Sequence, residues 1–227
     1  MYMTASEHFW REHIQRNPSV LDSGTRIWEI VCGLIMVLTF TGSISAATSG
    51  RDDVKVILWA ALGCNTAWGL VDAMMYLMSV WLERDQAVKA MKRVREDSPE
   101  EAMTVMKEYL PPIVARVIQT QHLAEIRKDL INLPVPPARA FLMMHDVRNA
   151  LIVFLLVFLS TFPVVIPFLF KLSVLMAMRI SNGIVLSLLF ACGLFLGGQT
   201  GYRRIVVGLL LALIGAVLTF ITISLGG

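Results

Sequence analysis

Five long apolar stretches are the feature that most restricts how this chain can fold. They cover residues 27–48, 56–82, 147–170, 174–196 and 205–225. Their apolar residues are continuous rather than alternating, and a bilayer is crossed only by closed barrels or by helices of about 20 apolar residues. The chain is 56% hydrophobic and 16% charged, whereas soluble domains carry about 25% charged residues. The sequence therefore predicts an all-α integral membrane protein with five transmembrane helices.

The positive charges indicate which side of the membrane each connection occupies. Sixteen of the 20 Lys and Arg residues fall in the N-terminal segment, the connection between spans two and three, the turn before span five, and Arg148. The others are Arg51, Lys55, Lys171 and Arg179. Because cytosolic connections are enriched in Lys and Arg, the N-terminus is predicted to be cytosolic and the C-terminus outside. Residues 1–26 contain no recognisable signal peptide, which favours a bacterial inner membrane.

The connection between spans two and three is predicted to be a small helical insert in the cytosol. The second helix should continue into it, since WLERDQAVKAMKRVRED has no Gly or Pro. Ser98-Pro99-Glu100-Glu101 then supplies an N-cap, a proline and acidic residues for a new helix. A further helix is expected over residues 113–132. The predicted segments are residues 1–26, 27–82, 83–146 and 147–227.

Asp72 most needs an explanation, because an ionised Asp near the middle of a span costs about 2.5–3.5 kcal/mol. Asn65, Trp68, Asp72, Met75 and Ser79 recur at steps of three and four, so they share one helical face, which is predicted to point away from lipid. Asp72 and Asn65 offer oxygen ligands and Met75 a thioether, a set that suits a first-row transition metal in transit. The alternative is a buried Asp that is protonated or hydrogen-bonded to a neighbouring helix.

Span one offers a second set of candidate ligands. Glu29, Cys32 and Met36 share one face and place a carboxylate, a thiol and a thioether along it. They could line a metal pathway, with Glu29 near the cytosolic entrance. They could equally be packing residues, since buried Cys and Met act as hydrophobic residues.

Two further groups could bind metal outside the spans. Met143, Met144 and Asp146, with the intervening His145, combine sulfur, imidazole and carboxylate next to span three. The acids of the insert include Glu96, Glu100 and Glu101, and they could bind cations. The insert also holds ten Lys and Arg residues, so its acids could instead pair with these bases, and the bases could face anionic lipid.

Other motifs concern packing. Pro163 and Pro167 should kink or end span three, and Gly193 and Gly197 form a GxxxG motif that allows close helix contacts. The three cysteines lie in apolar segments and predict no disulfide. No catalytic constellation and no nucleic-acid-binding motif is recognisable, so neither an enzyme nor a nucleic-acid partner is predicted.

Four stretches resemble the vacuolar iron transporter family. They are Glu29-Ile-Val-Cys32-Gly33-Leu34, the Ser-Pro-Glu-Glu-Ala start of the insert, Arg148-Asn-Ala-Leu leading into STFPVVIPFLF, and GQTGYRR followed by GLLLALIGAVLTFITISLGG. The similarity spans most of the chain after Arg26 and identifies a divergent member. The chain departs from the family at Cys32, where the family has an Asp, and at Thr104, where a Glu is expected; Asp72 is expected to substitute for the missing Asp.

The resemblance implies a homodimer with a pore between protomers, which exports iron or manganese from the cytosol in exchange for protons. It further implies that Glu96 and Glu101 match metal-binding positions of the insert. Fe²⁺ or Mn²⁺ would then be the substrate, and no permanently bound cofactor is expected. Because the span-one Asp and several insert acids are missing, a membrane scaffold or regulatory protein that has lost transport is the alternative, its basic insert binding a partner or anionic lipid.

Overall fold

The computed structural model describes residues 8–10, 23–45, 52–170 and 172–226. This part of the chain is helical and contains no strand, which confirms the all-α prediction. The helices are α1 (Ser23–Ser45), α2 (Asp52–Glu96), α3 (Pro99–Glu108), α4 (Pro112–Val117), α5 (Thr120–Asn132), α6 (Met144–Ser160), α7 (Phe162–Leu169), α8 (Val174–Thr200) and α9 (Arg204–Gly226).

The chain divides into two compact units. The described residues of Met1–Ser19 and Leu77–Asp146 form the first, here called the polar unit, and those of Val20–Tyr76 and Val147–Gly227 form the second, the apolar unit. Helix α2 is continuous through residues 83–96, as the absence of Gly and Pro in that stretch predicts.

Three of the described segments are long and apolar enough to cross a membrane. They are Met144–Leu169, Leu175–Thr200 and Arg204–Thr222. These segments match predicted spans three, four and five and support a membrane protein. Helix α1 and the first part of α2 cover most of predicted spans one and two, but the number of five transmembrane helices stays a prediction.

Predicted span three consists of two helices. Helix α6 ends at Ser160, Thr161 forms a turn, and α7 begins at Phe162. Pro163 occupies the second position of α7, where a backbone N–H would have no helical partner. The prediction that the prolines kink or end span three is confirmed as an interruption of the helix, which falls two residues before Pro163.

Helices α8 and α9 pack with their backbones in contact. A Cβ atom on Gly193 would lie 2.6 Å from the Cα of Gly208, and one on Gly197 would lie 2.8 Å from the Cα of Arg204. The GxxxG motif therefore forms a contact within the chain. The core beside this pair joins α1, α7 and α8 through Leu34, Leu38, Val164, Val185 and Leu189, among others.

In the polar unit, Leu123 of α5 is fully buried and packs against Val94 of α2 and against Val105 and Met106 of α3. Ser98 caps α3 as predicted, since its Oγ accepts from the Glu101 N–H at 3.4 Å and the Glu101 carboxylate accepts from the Ser98 N–H at 3.3 Å.

The prediction of a single helix over residues 113–132 is wrong, because two helices occupy this stretch. Ile118 and Gln119 have extended backbone conformations and separate α4 from α5. Ile118 and Leu123 both pack into the core of the polar unit, yet residues five apart on one helix point about 140° away from each other. The break lets both side chains reach the same core.

Candidate functional site

Three of the predicted pathway residues come together in the apolar unit. Glu29 and Cys32 lie one turn apart on α1, and both are close enough to Asp72 of α2 to interact with it electrostatically. All three side chains are half-buried. Two carboxyl groups and a thiol on α1 and α2 therefore lie within electrostatic range of Asp72 or Glu29. Because the two carboxylates repel each other, a cation or a proton would stabilise the pair.

Hydrogen bonds to α6 and to Thr161, the turn residue that follows it, hold α2 on both sides of Asp72. Asn65 Nδ2 donates to Thr161 Oγ1 and, at 3.4 Å, to the Val157 carbonyl. At the other end, Asn149 Nδ2 donates to the hydroxyl of Tyr76 at 3.2 Å. Since Asp72 lies between Asn65 and Tyr76 on a continuous helix, these bridges hold its backbone against the bundle.

The residues of the predicted helical face of α2 differ in how far they are buried. Asn65 is 1% exposed, whereas Trp68 is 47% and Met75 59% exposed. Met36 on α1 is half-buried. Within one chain, the structure thus brings Asn65 into the bundle and leaves Met75 on its surface, so the predicted face is not enclosed by this chain alone.

The predicted metal ligands of the insert are not gathered at one place. Glu96, Glu100 and Glu101 are exposed, and the carboxylate of Glu101 takes part in the cap of α3, accepting from Ser98 Oγ at 2.8 Å. Elsewhere in this unit acids pair with bases one turn away, as in Lys89–Asp85 at 2.6 Å and Arg93–Asp97 at 3.1 Å. This agrees with the alternative that the acids of the insert pair with its bases.

Asp146 forms a buried ion pair with Arg84. Arg84 Nη1 and Nη2 donate to its two carboxylate oxygens at 2.6 and 2.9 Å, and both side chains are at most 3% exposed. The backbone N–H of Met143 also donates to Asp146, at 2.6 Å, and Met144 is 83% exposed. Because both oxygens of Asp146 are occupied, this geometry favours an ion pair over the predicted metal site.

Among the described residues, no three His, Cys, Asp or Glu side chains are arranged to hold one metal ion. Glu29, Cys32 and Asp72 are therefore not close enough to one another to hold one metal ion together.

Sequence reasoning missed three buried residues of this architecture: Arg84, Ser160 and Thr161. Arg84 looked like one of many bases in a solvated stretch, and its partner is 62 positions away. Pro163 was the available signal for Ser160 and Thr161, because a proline shortly after two hydroxyl residues exposes backbone groups that hydroxyls can satisfy.

No protein-family model matches this chain, and a search of curated proteins found no match.

Proposed function

We propose that this chain is a membrane transporter of a divalent transition metal, iron or manganese, which it exports from the cytosol in exchange for protons. The observation that carries the proposal is the proximity of Glu29 and Cys32 on α1 to Asp72 on α2. Acidic residues inside membrane spans are costly and commonly mark ion or proton pathways.

The same carboxylates couple the movement of the metal ion to the movement of protons. When Glu29 and Asp72 are ionised, their oxygens attract a divalent cation, and Cys32 adds a softer ligand that suits transition metals more than Ca²⁺ or Mg²⁺. Protonation removes the negative charge and releases the metal. Each cycle then moves protons in the direction opposite to the metal.

The proposed architecture has five transmembrane helices, with α1 and the first part of α2 as spans one and two. The polar unit is the cytosolic insert, as the concentration of Lys and Arg in it supports. The N-terminus is cytosolic, the C-terminus is outside, and the membrane is a bacterial inner membrane. The resemblance of the four stretches to vacuolar iron transporters supports the same layout.

The exposed face of α2 supports a homodimer. Asp72 lies between Trp68 and Met75, which are 47% and 59% exposed, so a single chain in lipid would leave a carboxyl group beside an uncovered surface. A second copy packed on this face would shield Asp72 from lipid and complete the pathway between protomers.

A non-transporting scaffold is the second candidate. It is favoured by the absence, among the described residues, of a three-ligand metal group, and by the occupation of Asp146 and Glu101 in structural contacts. In this case the polar unit would bind a partner. Its helices leave an apolar cavity of about 320 Å³ beside Met91, Met106 and Leu123.

Metal flux in proteoliposomes tests the proposal. Purified chain is reconstituted in sealed vesicles that contain a pH-sensitive dye, and Fe²⁺, Mn²⁺, Co²⁺ and Zn²⁺ are supplied in turn with and without a pH gradient. We expect saturable flux of Fe²⁺ or Mn²⁺ accompanied by proton movement in the opposite direction.

Substitutions test which carboxylates the transported metal ion passes. Asp72→Asn and Glu29→Gln remove one charge each without changing side-chain size, and both should lower the flux at least about tenfold, the effect of losing roughly 1.4 kcal/mol of ion binding. Asp129→Asn is the matched control, since Asp129 is an exposed acid of the polar unit. Absence of flux for every metal in the wild-type chain would favour the scaffold, and wild-type flux in Asp72→Asn would contradict the role of Asp72.

A further inference from the structure

The turn between α8 and α9 carries two arginines whose charges are not balanced within the described part of the chain. Arg203 and Arg204 are exposed, and none of the ion pairs seen among the described residues includes either of them. Residues 147–227 contain five Lys and Arg and no Asp or Glu. Because no carboxylate lies in this part of the sequence, the two guanidinium groups are available to an anionic ligand from outside the chain.

Two glycines bring Arg204 onto the last turn of α8. Gly201 ends α8 with a φ of 74°, in the left-handed region that favours glycine. A Cβ atom on Gly198 would lie 3.0 Å from Nε and 3.4 Å from Nη2 of Arg204, so the guanidinium lies directly against the backbone of Gly198. The turn therefore sets the position of Arg204, and a side chain that is already positioned loses less conformational freedom when it binds a ligand.

An exposed apolar face of α9 begins directly after the two arginines. Ile205, Leu209 and Leu213 recur every four residues and are 64%, 58% and 63% exposed. About ten helical residues span 15 Å, which is the depth of the acyl chains in one leaflet. Of the three candidate spans α9 is the least buried, with 11% of its most apolar window covered by this chain. A lipid whose headgroup lies at the arginines would place its acyl chains along this face.

Helix α1 begins at the same end of the apolar unit as the α8–α9 turn. A Cβ atom on Gly215 would lie 2.6 Å from Leu189 of α8 and 3.5 Å from Leu38 of α1. Leu196 packs against the core that α1, α7 and α8 share, but it lies two turns beyond Leu189, toward the α8–α9 turn. The α7 residue of this core is farther away still, beside Ser181. Within this core only the first turns of α1 can reach Leu196, so α1 and α9 run in the same direction.

This end of the apolar unit carries exposed aromatic side chains. Tyr202 directly precedes the two arginines and is 75% exposed, and Trp28, in the first turns of α1, is 60% exposed. Trp and Tyr are enriched where lipid headgroups meet the hydrocarbon region. The aromatic side chains and the arginines thus both suit this end of the unit to the headgroup level of a membrane.

We infer that the α8–α9 turn binds the phosphate of an anionic phospholipid, whose acyl chains lie on the exposed face of α9. A guanidinium group can donate two parallel hydrogen bonds to phosphate oxygens, and basic sites on membrane helices bind anionic headgroups. A second copy of the chain is a poorer occupant, because a symmetric contact through this face would bring its own Arg203 and Arg204 against the same charges. The inference does not depend on the transport of metal.

Native mass spectrometry of the purified full chain in detergent tests the site, because it resolves the chain with and without one bound lipid. The chain is titrated with dioleoyl phosphatidylglycerol and, separately, with dioleoyl phosphatidylcholine, which has the same acyl chains and phosphate but adds a positive choline group. We expect the first phosphatidylglycerol to bind on the order of tenfold more tightly than the first phosphatidylcholine, since the arginines repel choline. Glycerol phosphate, which lacks acyl chains, should not displace the lipid at equal concentration.

Substitutions locate the lipid at the turn. Arg204→Gln should lower the preference for phosphatidylglycerol to about threefold or less, and Arg203→Gln provides a second variant in case Arg204→Gln does not fold. Arg179→Gln is the matched control: it removes the same charge from an exposed arginine near the other end of α8, so it should keep the wild-type preference.

Four results would overturn the inference. They are equal binding of the two lipids by the wild-type chain, an unchanged preference in the arginine variants of the turn, an equal loss of preference in Arg179→Gln, and displacement of the lipid by glycerol phosphate. The last result would identify a soluble phosphate compound as the ligand of the turn, and the third would show that net charge alone attracts the lipid.

Discussion

Removing the carboxylate of Asp146 should be among the most damaging single changes in the polar unit. The Arg84 guanidinium is 3% exposed and donates to both oxygens of Asp146, at 2.6 and 2.9 Å. In Asp146→Ala this charge stays buried with no counter-charge, which typically costs about 3–5 kcal/mol. The Met143 N–H, which donates to the same carboxylate at 2.6 Å, loses its acceptor as well.

A double-mutant cycle separates the ion pair from the surrounding packing. Arg84→Met should cost a similar amount to Asp146→Ala, because it leaves the carboxylate unpaired. Combining Arg84→Met with Asp146→Ala removes both charges, so the double variant should be more stable than the sum of the single effects predicts, by about 2 kcal/mol or more. The free energy of unfolding is measured by denaturing the purified chain in mixed micelles and following tryptophan fluorescence.

An exposed pair in the same unit provides the control. Lys89 and Asp85 are also 2.6 Å apart, but the Lys89 side chain is 71% exposed, so Lys89→Met should change the free energy of unfolding by less than about 0.5 kcal/mol. A loss below about 1 kcal/mol in Asp146→Ala, or strictly additive single effects, would refute the view that Arg84 and Asp146 form a closed, buried pair.

Two further predictions concern helix packing and helix initiation. Gly193→Ala should lower the free energy of unfolding, measured in the same mixed micelles, by about 1–3 kcal/mol, because its Cβ would lie 2.6 Å from the Cα of Gly208. Gly183→Ala, whose Cβ would meet nothing within 4 Å, should be neutral or slightly stabilising in that measurement. Equal effects of the two changes would contradict the close α8–α9 contact. Ser98→Ala should cost about 1 kcal/mol and speed amide hydrogen exchange in the first turn of α3, where the reciprocal bonds between Ser98 and Glu101 are lost; unchanged exchange there would show that the cap does not stabilise the helix.

Features set by neighbouring residues could be predicted from the sequence. The helical class, the continuation of α2, the Ser98 cap and the interruption near Pro163 all depend on a few adjacent residues, and each agrees with the structure. The break at Ile118 could not be predicted in this way. It depends on Ile118 and Leu123 reaching the same core, and no turn residue marks it.

The candidate site was predictable in part, for the same reason. Helical spacing groups Glu29 with Cys32, but only packing places them near Asp72. Spacing also grouped Asn65 with Met75, although the former is buried against Thr161 and the latter exposed. The ion pair of Asp146 with Arg84 joins residues 62 positions apart, so the local pattern of sulfur and carboxylate around Met143 suggested a metal site instead.

The contact between α8 and α9 restricts how far relatives of this chain can diverge. Most surfaces of a membrane helix tolerate exchange among Leu, Ile, Val and Phe, so overall identity is lost quickly over evolutionary time. Gly193, Gly197 and Gly208 have no such freedom, since any Cβ would collide with or press on the opposing helix. A search built on the spacing of these three glycines, rather than on similarity along the whole chain, is the one that should recover distant relatives.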